Sequence, residues 1–397
     1  MNSNLPFLAD RVIKGRIYPA LARHDARPYT QAWREFGEHW PRTTPLRLQE
    51  YCNQHHCLLD VRAINSDQPL RGIYPICIGF FDFSIDYIEL LPRAVEQAVR
   101  ERHVTLLFYY HEGDNPFHIK SRLDYLCQTH NIDTDCYIFV SANSRARTLE
   151  QFVWFADFEL WYYQRNLAQP ATLAHTDVRP RDFTALNRIH KSWRACVMAD
   201  LLRQGVLENS IWSYCNVDNV GDDANPIEID RVPQLRWTTE KFLAGAPYYA
   251  DGLTDQERND HSVTVTQHHA DAYANIVLES QFDVDQSGGS FLTEKTFKAI
   301  KHGQLFFIAG GPGSLQQLRD LGYRTFDSVL DNSYDLEPDP TQRWLALRGA
   351  IVQAQAQGLH DIYCRSRSDI EHNQKLFLSS KQSRLNSLLE TIYEHCR

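Results

Sequence analysis

Short apolar runs recur along this chain, each bordered by a stretch whose apolar positions return every three or four residues. That alternation restricts the fold more than any other feature. "IYPICIGFF", "VTLLFYY", "DCYIFVSAN", "YANIVLESQF" and "QLFFIAGGPGS" have the length and apolar content of buried strands, and the segments between several of them have helical periodicity. Strand, helix and strand in succession require crossover connections and hence a parallel sheet covered by helices. The predicted class is α/β. At 397 residues the chain exceeds one comfortable core, since a domain holds roughly 100–200 residues. Two Rossmann-like, doubly wound domains facing a cleft are therefore expected, over 1–173 and 174–367, with a C-terminal helix over 368–397 that crosses back to the first domain.

Within this frame, Pro19, Pro28, Pro41 and Pro45 erase any period over the first 70 residues, which read as an N-terminal extension. "SIDYIELLPRAVEQAVRERH" reads as one helix and "HIKSRLDYLCQTH" as another. The aromatic stretch 152–163 reads as core and domain interface, with a sugar-stacking platform as the sharper alternative. A linker places the boundary near Ala174. Beyond it, "FTALNRIHKSWR" reads as a strand, a polar turn over Asn187–His190 and a helix. "GSLQQLRDLGYRTF" reads as helix, glycine cap and strand, and Ser368 with Glu371 as a capping box opening the last long helix.

Composition narrows function. The formal net charge is −9, a field that repels polyanions and offers no support for bulk nucleic-acid binding. No apolar run approaches the ~18 residues of a membrane span, and the N-terminus lacks signal-peptide order, so a cytoplasmic protein is expected. Nine scattered cysteines fit reduced thiols rather than a disulfide framework.

The densest chemistry lies in "SFLTEKTFKAIKHGQLFFIAGGPGS". Thr293 is placed to N-cap a helix that Gly303 ends, which puts Glu294 and Lys295 in its first turn. A lysine there opposes the helix dipole by ~0.3–1 kcal/mol unless an anion or carboxylate satisfies it, so Lys295 is either a solvated surface residue or a phosphate partner. Gly310, Gly311 and Gly313 follow a buried strand, where ligands of open α/β sheets sit. The spacing is neither a P-loop nor GxGxxG.

These residues carry a resemblance. "IVLES…SFLTEKTFKAIKHGQLFFIAGGPG" resembles the donor-binding segment of α1,3-fucosyltransferase-like glycosyltransferases of the GT-B fold, over about 60 residues from Tyr273 to Asp331. The resemblance implies a nucleotide-sugar donor held with Lys295 on a phosphate and Glu294 on the ribose. Phe291 stands in place of the motif's usual Tyr, Glu279 matches the strand-end glutamate, and Ser280 replaces the asparagine that follows it. The gap from Glu279 to Glu294 is also longer than the pattern's. An arginine in the region of "LNRIHKSWR" is implied as well, with Arg188 favoured and Lys191 and Arg194 as alternates. Their cationic donors suit a diphosphate leaving group.

Inverting transfer needs a carboxylate base beside the acceptor hydroxyl. Glu112, just after "VTLLFYY", is the first candidate and Asp82 the second. Two rival motifs are weaker: Asp283-Val284-Asp285 as a DxD metal site, and "CNQHHC" from Cys52 to Cys57 as a zinc site. The expected function is metal-independent, inverting sugar transfer from a nucleotide-diphosphate donor to a glycan, lipid-linked, peptide or nucleobase acceptor, with no cofactor. Phage-type glycosylation of a DNA base and non-catalytic nucleotide binding are the alternatives.

Overall fold

The computed structural model describes residues 5–9, 11–13, 16–18, 47–57, 59–64, 69–78, 81–168, 171, 178–217, 225–250, 264–282 and 289–396. Two compact units result, Met1–Asp157 with Ser380–Arg397, and Phe158–Ser379. The expected boundary near Ala174 lies outside the described residues. That at 367/368 falls inside a helix, and the chain enters the first unit only at Ser380.

The first unit contains β1 (Phe7–Ala9), β2 (Arg11–Ile13), β3 (Arg16–Tyr18), α1 (Arg47–Gln54), β4 (Val61–Ala63) and β5 (Gly72–Ile78), then α2 (Arg93–Arg100), β6 (Val104–Tyr110), α3 (Pro116–Thr129), β7 (Tyr137–Ser141) and β8 (Phe152–Trp154). Six strands form one sheet in the order β4-β1-β5-β6-β7-β8, every described pairing parallel. The first 70 residues are therefore not merely an extension, because β1 and β4 are strands of the sheet. Nor does "SIDYIELLPRAVEQAVRERH" form one helix. Asp86 accepts from the backbone N–H groups of Ile88 and Glu89 in a local turn, and α2 begins only after Pro92, a residue that disfavours helix in the position before it.

The second unit contains α4 (Asp157–Arg165), whose first residue belongs to the first unit, then β9 (Arg181–Ile189), α5 (Ser192–Arg203), β10 (Ser210–Val217), α6 (Pro233–Gly245) and α7 (Thr266–Ala270). It continues through β11 (Ala272–Leu278), α8 (Glu294–Lys301), β12 (Leu305–Ala309), α9 (Ser314–Asp320), α10 (Pro340–Gln357), α11 (Leu359–Arg365) and α12 (Arg367–Ser379). Its parallel sheet has the order β10-β9-β11-β12. β9 runs through Asn187–Ile189, so the polar turn expected there is strand. After α9, Gly322 adopts φ +85°, as a C-cap requires, but no strand follows. The expected capping box is absent: Ser368 lies within α12, Glu371 pairs with Arg367, and α13 (Lys381–His395) is a separate helix of the first unit.

Most of the aromatic stretch is core: Phe152, Phe155, Phe158, Trp161 and Tyr162 are buried. No helix among the described residues is long and apolar enough to cross a membrane.

Candidate functional site

In the second unit the chain passes from β9 to β10 on one side and then to β11 on the other. That reversal is a topological switch point, where strand ends diverge and leave room for a ligand beyond the carboxyl edge. β9 and β11 pair in register as far as Thr184 and Asn275, and Arg188 and Glu279 each lie four residues beyond. The donor-side residues singled out from sequence on β9, α5, β11 and α8 collect at this one edge.

Their roles differ. Glu279 is fully buried, and its carboxylate accepts from Thr293 N at 3.1 Å, Thr293 Oγ1 at 2.5 Å and Thr296 Oγ1 at 2.6 Å. It is a strut that caps the first turn of α8. Arg194 is 3% exposed and donates to the carbonyls of Glu279 (2.5 Å) and Ile189 (3.3 Å), tying the ends of β11 and β9 together. Phe291 is buried and packs edge-on against Phe158 with ring centroids 5.5 Å apart, so its ring belongs to the core.

Thr293 caps α8 as expected. Its hydroxyl donates to Glu279 and accepts from Lys295, whose Nζ lies 3.0 Å from Thr293 Oγ1, 3.1 Å from Glu294 Oε1 and 3.2 Å from Ser280 Oγ. The dipole penalty on this lysine is offset within the chain itself. Its side chain remains 27% exposed against 6% for Glu294, and the three N–H donors of the ammonium meet those three oxygens. Arg188 and Lys191, the latter the N-cap residue of α5, are half-buried nearby on the same sheet edge.

The glycine turn serves the chain's own geometry. A Cβ on Gly311 would lie 2.4 Å from the Gly289 carbonyl oxygen, one on Gly310 would meet Ser314 Oγ at 2.7 Å, and Gly313 adopts φ +81°. The helix that follows is already capped: Asp335 accepts from the N–H groups of Leu315 (2.7 Å) and Gln316 (3.0 Å). Burial pushes the Asp335 carboxyl above the usual range. Arg343, buried under Phe282, donates to the carbonyls of Gly310 (3.2 Å) and Phe282 (2.6 Å). Neither Asp335 nor Arg343 carried a signal in the sequence, since these bonds span 19 residues or more.

At the carboxyl edge of the first unit, Asp82 and Glu112 follow β5 and β6. One Asp82 oxygen is committed to its own turn, accepting from Ser84 N (2.8 Å) and Ser84 Oγ (2.6 Å). Glu112 is 37% exposed, with Oε1 3.3 Å from His111 Nε2. Asp283 and Asp285 lie outside the described residues. Cys52 and Cys57 are both buried, and burial raises the Cys52 thiol to about 12. No group of three or more His, Cys, Asp or Glu positioned for a metal occurs among the described residues.

No protein-family model matches the chain, and no curated protein matches it significantly. Among solved structures, the crystal structure of a GtfA/B complex aligns with 12% identity and a TM-score of 0.36, covering 88% of this chain. The chain spans 60% of the length of that neighbour.

Proposed function

We propose that this chain is a GT-B-type glycosyltransferase that transfers a sugar, with inversion and without a metal, from a nucleotide-diphosphate donor to an acceptor hydroxyl. The reading rests on one observation: Lys295, partly exposed in the first turn of α8, shares the switch-point edge of a parallel sheet with Arg188 and Lys191. A diphosphate needs such cations, and helix N–H groups, to stabilise charge as the glycosidic bond breaks. Lys295, Arg188 and Lys191 take the phosphates, and Glu294 takes the ribose. Glu279, Arg194, Thr293 and the turn at Gly310, Gly311 and Gly313 hold the frame.

Glu112 is the base, since its carboxylate is 37% exposed and stands beside His111, while an oxygen of Asp82 is committed to Ser84. The acceptor O–H gives its proton to Glu112 as the new bond to the anomeric carbon forms. Release of nucleoside diphosphate from a panel of nucleotide sugars, measured with and without a chelator, reads this out. Glu112→Gln is expected to lower turnover by ~10²–10⁴-fold while donor affinity is kept. A Glu112→Gln protein of undiminished turnover removes Glu112 from the reaction.

A further inference from the structure

Two buried thiols of the first unit lie in contact, and the sugar-transfer reading has no use for them. Cys127 Sγ is 3.9 Å from Cys136 Sγ. Cys127 stands in the last turn of α3, Cys136 immediately before β7, and both belong to the hydrophobic cluster that holds Leu123, Leu126, Ile132 and Tyr137.

The connection between them is pinned at both ends. The Cys127 carbonyl accepts from the N–H groups of His130 at 3.2 Å and Ile132 at 2.8 Å, with Asn131 turning the chain at φ +53°. Cys136 N–H donates to the Asp133 carbonyl at 3.2 Å, and its own carbonyl accepts from Leu106 N–H of β6 at 2.9 Å. On the outer side Arg102 pairs with both Asp133 and Asp135. The fold has thus already met the loop-closure cost of bringing these two sulfurs together. A sulfur–sulfur bond of ~2.05 Å leaves them about 2 Å to close. Cys52 and Cys57 offer a comparison within the same unit, since Cys57 Sγ is turned to the carbonyls of His55 (3.7 Å) and Gln382 (3.8 Å).

We infer that Cys127 and Cys136 form a latent disulfide, closed by small-molecule disulfides when the chain folds in an oxidising medium, and stapling the end of α3 to the start of β7. One of the two thiols loses its proton and attacks a sulfur of the small disulfide, whose own bond breaks as a mixed disulfide forms. The second thiol loses its proton and attacks the protein sulfur of that mixed disulfide. The Cys127–Cys136 bond forms, and the two departing small thiolates take up the two protons. Two cysteines are oxidised as one small disulfide is reduced to two thiols, so the electrons balance. Contact with Cys127 and burial hold the Cys136 thiol well above its usual range, so thiolate is scarce in the folded chain and the pair keeps the oxidation state in which it folded.

The full-length chain is unfolded and reduced, refolded in a mixture of reduced and oxidised glutathione, blocked with iodoacetamide and mapped by peptide mass spectrometry. A Cys127–Cys136 link roughly tenfold or more as abundant as a Cys52–Cys57 link is expected. The linked protein should unfold at a higher denaturant concentration than the same protein refolded under reductant. Cys136→Ala, which cannot close the bond, should unfold at one midpoint whichever medium it folded in. A second arm holds the already folded chain in the same glutathione mixture with sub-denaturing urea, and the same link is expected there. Cys127 and Cys136 recovered as alkylated thiols from both arms, or linked no more often than Cys52 with Cys57, overturns the inference.

Discussion

Glu279 shows how one side chain can match a motif and still have a different use. Its position at the end of a strand was legible from "IVLES", but its partners, Thr293 and Thr296, lie 14 and 17 residues further on. Only the packing of α8 against β11 reveals that the carboxylate holds the helix rather than waiting for a nucleotide-sugar donor. Glu279→Ala strands the Thr293 N–H and two threonine hydroxyls in a buried site, at a cost of about 1–3 kcal/mol for each donor left unmade. A large fall in melting temperature is expected, whereas Lys295→Ala, at a partly exposed side chain, should leave it nearly unchanged. If thermal denaturation showed both variants equally stable, the strut role would be wrong. Phe291 teaches the same lesson, since an aromatic in a ligand motif and an aromatic in a core look alike until Phe158 is seen against it.

Among the elements, long apolar runs were readable and short or locally capped ones were not. β6, β7, β11 and β12 declare themselves because residues on both faces of a parallel strand are buried. β1 and β4, at three residues each, are too short to show any period, and α2 is shorter than its pattern because Pro92 precedes it. The far end of α8 carries a consequence for acid stability. His302, its C-cap, stacks on His269 of α7 with ring centroids 5.0 Å apart. Burial lowers His269 to about 4 and His302 to about 2, with the neighbouring Lys298 and Lys301 acting in the same direction on His302. Both folded values lie below the unfolded value near 6.5, so the unfolded chain binds more protons in that window. The neutral pair is fully compatible with folding above about pH 6.5, and stability falls as pH drops below it, by about 2 kcal/mol per histidine at pH 5. Denaturant melts between pH 7.5 and 5 should show this loss, and His302→Phe, which keeps a ring but cannot titrate, should remove about half of it. An unchanged acid slope in that variant would assign the loss to other groups.

For the whole molecule, length and alternation were enough to expect two α/β units, while the places where the chain passes between them were hidden. Ser380 begins the return to the first unit with no break in helical composition, because α12 and α13 are both amphipathic and only tertiary packing separates them. The net charge of −9 makes the partly exposed Lys295 a local cation in an acidic protein, suited to a small anionic ligand rather than to a polyanion. Isothermal titration of a nucleoside diphosphate into the full-length chain and into Lys295→Ala weighs this account as a whole. Binding to the wild type and a roughly 10- to 100-fold weaker affinity in Lys295→Ala, the scale of one charge-assisted contact, are expected. Equal affinity in the two proteins, or no nucleotide binding by a folded wild type, would take away the donor site and with it the sugar-transfer function.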